Sequence, residues 1–161
     1  MGALVLRAAT AADVPVIVQF IEALADYERL RHECVADAAA VHATLFGPHP
    51  AAEVILAEEQ GTPVGFALFY PTYSTFLARA GMHLEDLFVV PSARGAGVGR
   101  ALLRRLASLS LERGYGRLEW AVLDWNTPAI RFYESLDAVP MSDWTTYRVT
   151  GSALQALADG G

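Results

Sequence analysis

Cysteine is almost missing from this chain: Cys34 is the only one in 161 residues, so no internal disulfide can form. A reducing, cytoplasmic setting is the expectation. The four histidines and Cys34 show no metal-ligand spacing, so no metal is expected. Basic residues are also scarce, 12 Lys and Arg against 18 Asp and Glu, for a formal net charge of −6. Nucleic-acid binding needs a concentrated basic face, and this composition argues against it. No uncharged run approaches the roughly 18 residues that span a bilayer. Met1–Arg7 has neither the basic start nor the apolar stretch of a secretion signal. No membrane partner is therefore expected.

What the chain does have is apolar content. With 53% hydrophobic and 19% charged residues, and Gly and Pro scattered, it can bury a core as one domain over 1–161, with about 156–161 as a flexible tail. Leu4–Arg7 suits a first strand. Thr10 stands three residues before Asp13, an approximate capping box, and Pro15 lies in the first turn of a helix reaching about Leu30. Asp37–Leu45 is a weaker helix, stopped by Gly47-Pro48. Glu53–Glu58 and Pro63–Tyr70 form a hairpin, and Met82–Val90 a central apolar strand. A helix then runs to Arg113, capped by Gly114. Leu118–Leu123 is a further strand, Asn126–Leu136 a short helix, and Trp144–Val149 a last strand. The order β-α-α-β-β-β-α-β-α-β predicts an α/β fold, a mixed sheet with helices on both faces.

Between the central strand and its helix lies Arg94-Gly95-Ala96-Gly97-Val98-Gly99-Arg100-Ala101. Glycines let backbone N–H groups approach a ligand without a Cβ in the way. A helix N-terminus adds partial positive charge, so the combination suits a pyrophosphate. Gly99-Arg100-Ala101 lacks the Lys-Ser/Thr of a Walker loop, and Arg100 stands where a Rossmann fingerprint needs glycine. What remains, Arg-x-x-Gly-x-Gly, resembles the coenzyme A pyrophosphate loop of the GCN5-related N-acetyltransferase (GNAT) superfamily. Leu84-Glu85-Asp86-Leu87-Phe88-Val89-Val90-Pro91 is similar to that superfamily's central strand. Asp124-Trp125-Asn126 with Ala129-Ile130-Arg131-Phe132-Tyr133 is similar to its fifth strand end and following helix. These pieces, with Ala25-Asp26-Tyr27-Glu28, look most like the diamine (spermidine/spermine) acetyltransferase branch. One departure is Leu136-Asp137-Ala138, where Leu-Gly-Ala usually stands; Asp tolerates the left-handed backbone a helix end needs.

The resemblance implies a GNAT-like sheet of six to seven strands with about four helices, acetyl-CoA as cosubstrate, and a homodimer. It implies transfer of acetyl to the primary amine of a small cationic acceptor: a polyamine, diamine or lysine-like amino acid. A protein or peptide N-acetyltransferase and a non-catalytic acyl-CoA-binding module are the alternatives. An alkyl amine titrates near 10.4, so it must be deprotonated before attack. Glu85 is the candidate base, with His83 an alternative. Strict alternation points Asp86 to the opposite face unless a bulge interrupts the strand, as the resemblance implies. Backbone N–H groups of the Leu87–Val89 segment, Phe88 included, are implied cofactor and oxyanion contacts. Arg94, Gly95, Ala96, Gly97, Val98, Gly99 and Arg100 hold the pyrophosphate, and Asn126 and Ala129 the pantetheine. Tyr133, seven residues after Asn126 and so on the same helix side, is the candidate general acid. Tyr27, Glu28, Glu85, Asp86, Glu119, Trp120 and Ala121 are implied to face the acceptor.

Overall fold

A computed structural model describes residues 2–160, which divide into two compact units, one running to Ala121 and one beginning at Val122. The first unit carries a single mixed sheet in the order β1-β2-β3-β4-β5. Its strands are β1 (Leu4–Ala8), β2 (Glu53–Glu59), β3 (Thr62–Ser74), β4 (Arg79–Val89) and β5 (Leu118–Glu119). The first four are antiparallel neighbours, and β5 joins β4 in parallel. Helices α1 (Val14–Tyr27), α2 (Ala38–Leu45) and α3 (Val98–Glu112) belong to the same unit.

The entry into α1 is built from charge. The Thr10 N–H donates to Asp13 Oδ2 at 2.7 Å, completing the capping box. Arg7 on β1 grips the same carboxylate through both terminal nitrogens, at 2.8 and 2.9 Å, and reaches Glu58 on β2 at 2.7 Å. The Arg7 bonds hold the Asp13 carboxyl down at about 2, well below its ordinary value. From there Val14, Ile17 and Phe20, spaced by three, turn inward as one buried stripe. They pack with Val54, Leu56, Phe66, Leu68 and Phe88 of the sheet. The Phe20 ring lies 5.6 Å from Phe66 and 5.5 Å from Phe88, tilted in both cases. Such pairs add about 0.5–1.5 kcal/mol each beyond burial. The α3 stripe of Val98, Leu102, Leu103 and Leu106 is equally buried. Ser110 on α3 meets Met82 on β4, with Oγ 3.6 Å from the sulfur.

The Met82 and Phe88 contacts expose an irregularity. Residues six apart on a regular strand share a face. Met82 instead meets α3, while Phe88 packs with α1. The cause is a bulge: Phe69 pairs with Leu84 and Leu68 with Asp86, leaving Glu85 as the extra residue.

Unit two holds α4 (Thr127–Glu134) and α5 (Gly151–Ala158). Asn126 caps α4, its side chain accepting from the Ala129 N–H at 3.4 Å. The helix ends in a Schellman arrangement: Ala138 N–H to Tyr133 O at 3.3 Å and Asp137 N–H to Glu134 O at 3.0 Å, with Asp137 at φ +62°. Asp therefore does take the left-handed position usually given to glycine.

Among the described residues, four expectations need correction. The sheet has five strands rather than six or seven. The expected strand Leu118–Leu123 contracts to Leu118–Glu119, so Trp120 and Ala121 lie beyond it. Trp144–Val149 forms no strand: its β-branched and aromatic residues are all exposed, and β-propensity has no effect without a paired neighbour. Helix α5, rich in Ala and Leu, follows instead, so five α-helices are present where about four were expected.

The left-handed Asp137 generates a prediction. Asp137→Gly removes both the Cβ strain and a negative charge from a helix C-terminus, and should raise stability by about 1 kcal/mol. Urea unfolding monitored by circular dichroism measures the change.

Candidate active site

Because Glu85 occupies the bulge, β4 presents His83, Glu85, Asp86 and Phe88 toward the α1 side in spite of strict alternation. The end of α1 brings Glu28 to the same place. The three carboxylates feel one another. Burial, then repulsion from Glu85 and from Glu28, pushes the Asp86 carboxyl up to about 6. Burial and the Glu85 charge raise Glu28 as well. Glu85 itself remains half exposed, at 53% of its side chain, open to water. A concentrated negative site of this kind attracts an ammonium group.

Two further side chains touch the Glu85 carboxylate, and both engage Oε2. Tyr70, directly across the ladder on β3 from His83, donates its hydroxyl at 3.3 Å. His83 Nε2 lies 3.4 Å away. The two rings are 5.0 Å apart. Tyr70 was not among the site residues expected from sequence, because only the register places it beside Glu85.

Arg94 links the loop to these elements. Its Nε donates to the Val89 carbonyl at 2.8 Å, and its guanidinium stands over the rings of Tyr27 (5.2 Å) and Phe88 (5.6 Å). The α1 terminus that carries Tyr27 and Glu28 is thereby tied to β4. Beyond Arg94, Gly95 (φ +82°) and Gly97 (φ +88°) adopt backbone that L side chains rarely take. A Cβ built at either would meet nothing within 4 Å, so the space above the loop is open to a ligand. Gly97 is also the N-cap of α3, whose first-turn amides lack intrahelical acceptors. Ala96 and Arg100 are exposed beside it, Val98 is buried, and Gly99 is half-buried.

The bridge between β4 and β5 is confined to Met82–Leu118 and His83–Glu119. Among the described residues, Leu87, Phe88 and Val89 have a strand partner only on the β3 side. The free edge can bond the amides of an extended ligand. Glu119 is half-buried, with Arg117 Nη1 at 3.9 Å; Trp120 is half-buried and Ala121 exposed. In unit two, Asn126 is buried at 8% exposure, Ala129 bonds to it, and Tyr133 is half-buried two turns along, its ring 5.7 Å from that of Phe132. A cavity of about 370 Å³ elsewhere in unit one, lined by Leu6, Phe46, Phe69, Arg105 and Arg113 among others, shares no residue with the acidic cluster. Among the described residues no group of three His, Cys, Asp or Glu could hold a metal ion. No helix among them is long and apolar enough to cross a membrane.

Residues 18–137 match the model of the acetyltransferase (GNAT) family. The chain is 34% identical to the L-ornithine N5-acetyltransferase of Arabidopsis thaliana, over 94% of its own length and 86% of the relative's. It is 35% identical to the thialysine N-epsilon-acetyltransferase of Mus musculus, over 95% and 96%. Among solved structures, an integron cassette protein from the mobile metagenome of V. cholerae superposes with a TM-score of 0.82 at 26% identity, covering 98% of this chain and 99% of that one.

The acidic cluster carries a stability cost with a defined pH dependence. In the folded chain Asp86 holds its proton up to about pH 6, against an ordinary value of 3.8. Ionisation therefore costs stability progressively as pH rises through that window, and the cost is complete above it. Asp86→Asn should stabilise the fold at pH 7.5 by about 1–3 kcal/mol and leave it little changed at pH 4. Denaturant unfolding at the two pH values tests this, and an Asp86→Asn gain equal at both would contradict the assignment.

Proposed function

The chain belongs to the acetyltransferase (GNAT) family and is an N-acetyltransferase, and from that premise we propose that it carries acetyl from acetyl-CoA to the primary amine of a small cationic acceptor, a polyamine, diamine or lysine-like amino acid. The observation that carries this reading is the meeting of Glu28, Glu85 and Asp86 beside the glycine loop at the start of α3. Tyr27 and the Glu119–Ala121 segment complete the acceptor side. The acceptors for which two relatives are named, ornithine and thialysine, guide the choice among such amines.

Each group has a task in the reaction. Arg94 to Arg100 hold the pyrophosphate with backbone N–H groups and the helix N-terminus. The unpaired edge of β4 at Leu87–Val89 bonds the pantetheine amides and supplies N–H groups to the oxygen that gains charge during transfer. Asn126 and Ala129 hold the cofactor from the start of α4. Acetyl-CoA supplies the activated acetyl group when bound; no metal takes part in this scheme. Glu28 and Asp86 draw in the ammonium form of the acceptor, and Glu85 receives its proton through water, freeing the nitrogen lone pair. Tyr133 returns a proton to the departing thiolate.

We read the chain as one acetyltransferase domain in a cytoplasmic setting, the latter resting on the single cysteine. It functions as a homodimer in this reading, supported by large apolar side chains left in water: Phe76 at 97%, Tyr147 at 92% and Trp144 at 78% exposure.

The test is acetyl-CoA-dependent acetylation of L-ornithine, thialysine, spermidine and a lysine peptide by the purified chain. Free diamine-type acceptors should be modified and the peptide spared. Gly97→Val should abolish acetyl-CoA binding in a folded protein, since its branched side chain would enter the open space above the loop; undiminished affinity by calorimetry counts against the assignment. Tyr133→Phe should keep cofactor affinity and melting temperature while lowering kcat about 100-fold or more. A Tyr133→Phe enzyme with normal kcat would leave Tyr133 a packing residue.

A further inference from the structure

Glu85 has a problem that its role as base makes acute. It shares its surroundings with two further acids, Asp86 and Glu28, each of which feels its charge, and its own side chain is half exposed. Repulsion favours rotamers that swing the carboxylate into solvent, away from the acceptor nitrogen. The restraint comes from one side chain on the strand beside it and from one two residues earlier on β4.

We propose that Tyr70 and His83 are positioning residues that fix the Glu85 carboxylate through Oε2, Tyr70 by donating its hydroxyl and His83 by holding Nε2 beside the same oxygen, leaving Oε1 as the oxygen that takes the acceptor's proton. The inference rests on the reading of Glu85 as base. Its independent support is geometric. The Tyr70 hydroxyl reaches Oε2 at 3.3 Å from β3, and His83 Nε2 is 3.4 Å from the same oxygen on β4. The two residues are cross-strand partners, and their rings lie 5.0 Å apart, each limiting the other's rotamers. Glu85 follows His83 by two residues and so shares its face of β4, within reach of both rings. Burial and the Glu85 charge raise the Tyr70 hydroxyl, which keeps it protonated as a donor. The other charged groups around this point are Asp86 on β4, Glu28 at the end of α1, and Glu119 on β5, which pairs with His83 and has Arg117 3.9 Å away.

Donors to a carboxylate favour its charged form, so removing them makes the proton bind more readily. The test therefore follows the Glu85 carboxyl directly, by ¹³C NMR of glutamate-labelled protein, in Tyr70→Phe and His83→Phe. Both variants keep a ring in place. The titration midpoint should rise by about half a pH unit or more in each, converting a weak charge-assisted bond into that shift. The acid limb of kcat/KM, with L-ornithine or whichever amine of the screen turns over fastest, should move the same way. KM for acetyl-CoA should hold. His83→Gln, which restores an N–H donor, should recover part of the loss. Combined with Glu85→Gln, neither substitution should cost anything further, because both act through Glu85. Unmoved midpoints and wild-type kcat/KM profiles in Tyr70→Phe and His83→Phe, alongside an impaired Glu85→Gln, overturn the positioning role alone. A Glu85→Gln enzyme with full activity overturns the base assignment itself, and this inference with it.

Discussion

A single extra residue in β4 is the constraint on which the candidate site depends. On a regular strand, Glu85 and Asp86 project to opposite faces, one carboxylate toward α1 and one toward α3. The bulge at Glu85 resets the alternation, so Met82 and Leu84 serve the α3 side while Asp86 and Phe88 serve the α1 side. Both halves of the strand still bury their apolar residues. Across the irregularity two acids share one face. The same shift hands Phe88 to the α1 core, where it packs against Phe20 and lies beneath Arg94. Core and site are thus joined by one backbone feature.

The site then concentrates charge that the fold would be more stable without. Asp86, held near 6 by burial and by its acidic neighbours, is an ionised group in a place that disfavours ionisation. Left-handed Arg29, directly after Glu28, and left-handed Asp137, after α4, are further local costs close in sequence to proposed site residues. An ammonium ligand would relieve the first of these, which couples acceptor binding to stability. Arg94 provides a counterweight of a different kind: it binds the Val89 carbonyl and covers two aromatic rings, so the loop, β4 and the end of α1 are held together without neutralising the three acids.

Much of this was legible in the chain itself. The capping box at Thr10–Asp13, the helix that begins with Val14 and Ile17 facing inward, the glycine turn before Val98 and the Asn126 cap are local patterns. Short-range backbone and side-chain chemistry suffices to produce them, and they stand where the sequence placed them. Asp137 ending α4 in left-handed backbone belongs with them. The family followed from the same patterns, because the residue types around the glycine turn and Asn126–Tyr133 are specific.

Strand pairing decided the rest. A strand exists only where another chain segment takes up its hydrogen bonds, which is why Leu118–Leu123 shortened to two residues and Trp144–Val149 formed none. Period-two alternation could name Glu85 and Asp86 but not put them on one face; that required the register of β3 against β4, a contact between residues far apart in sequence. Tyr70 carried no signal at all for the same reason, since its nearness to Glu85 comes from the ladder and the bulge together. Residue types and helix caps are local physics and were determined by the sequence alone. Which acids face each other, and what holds them there, was decided by the tertiary structure, through long-range pairing.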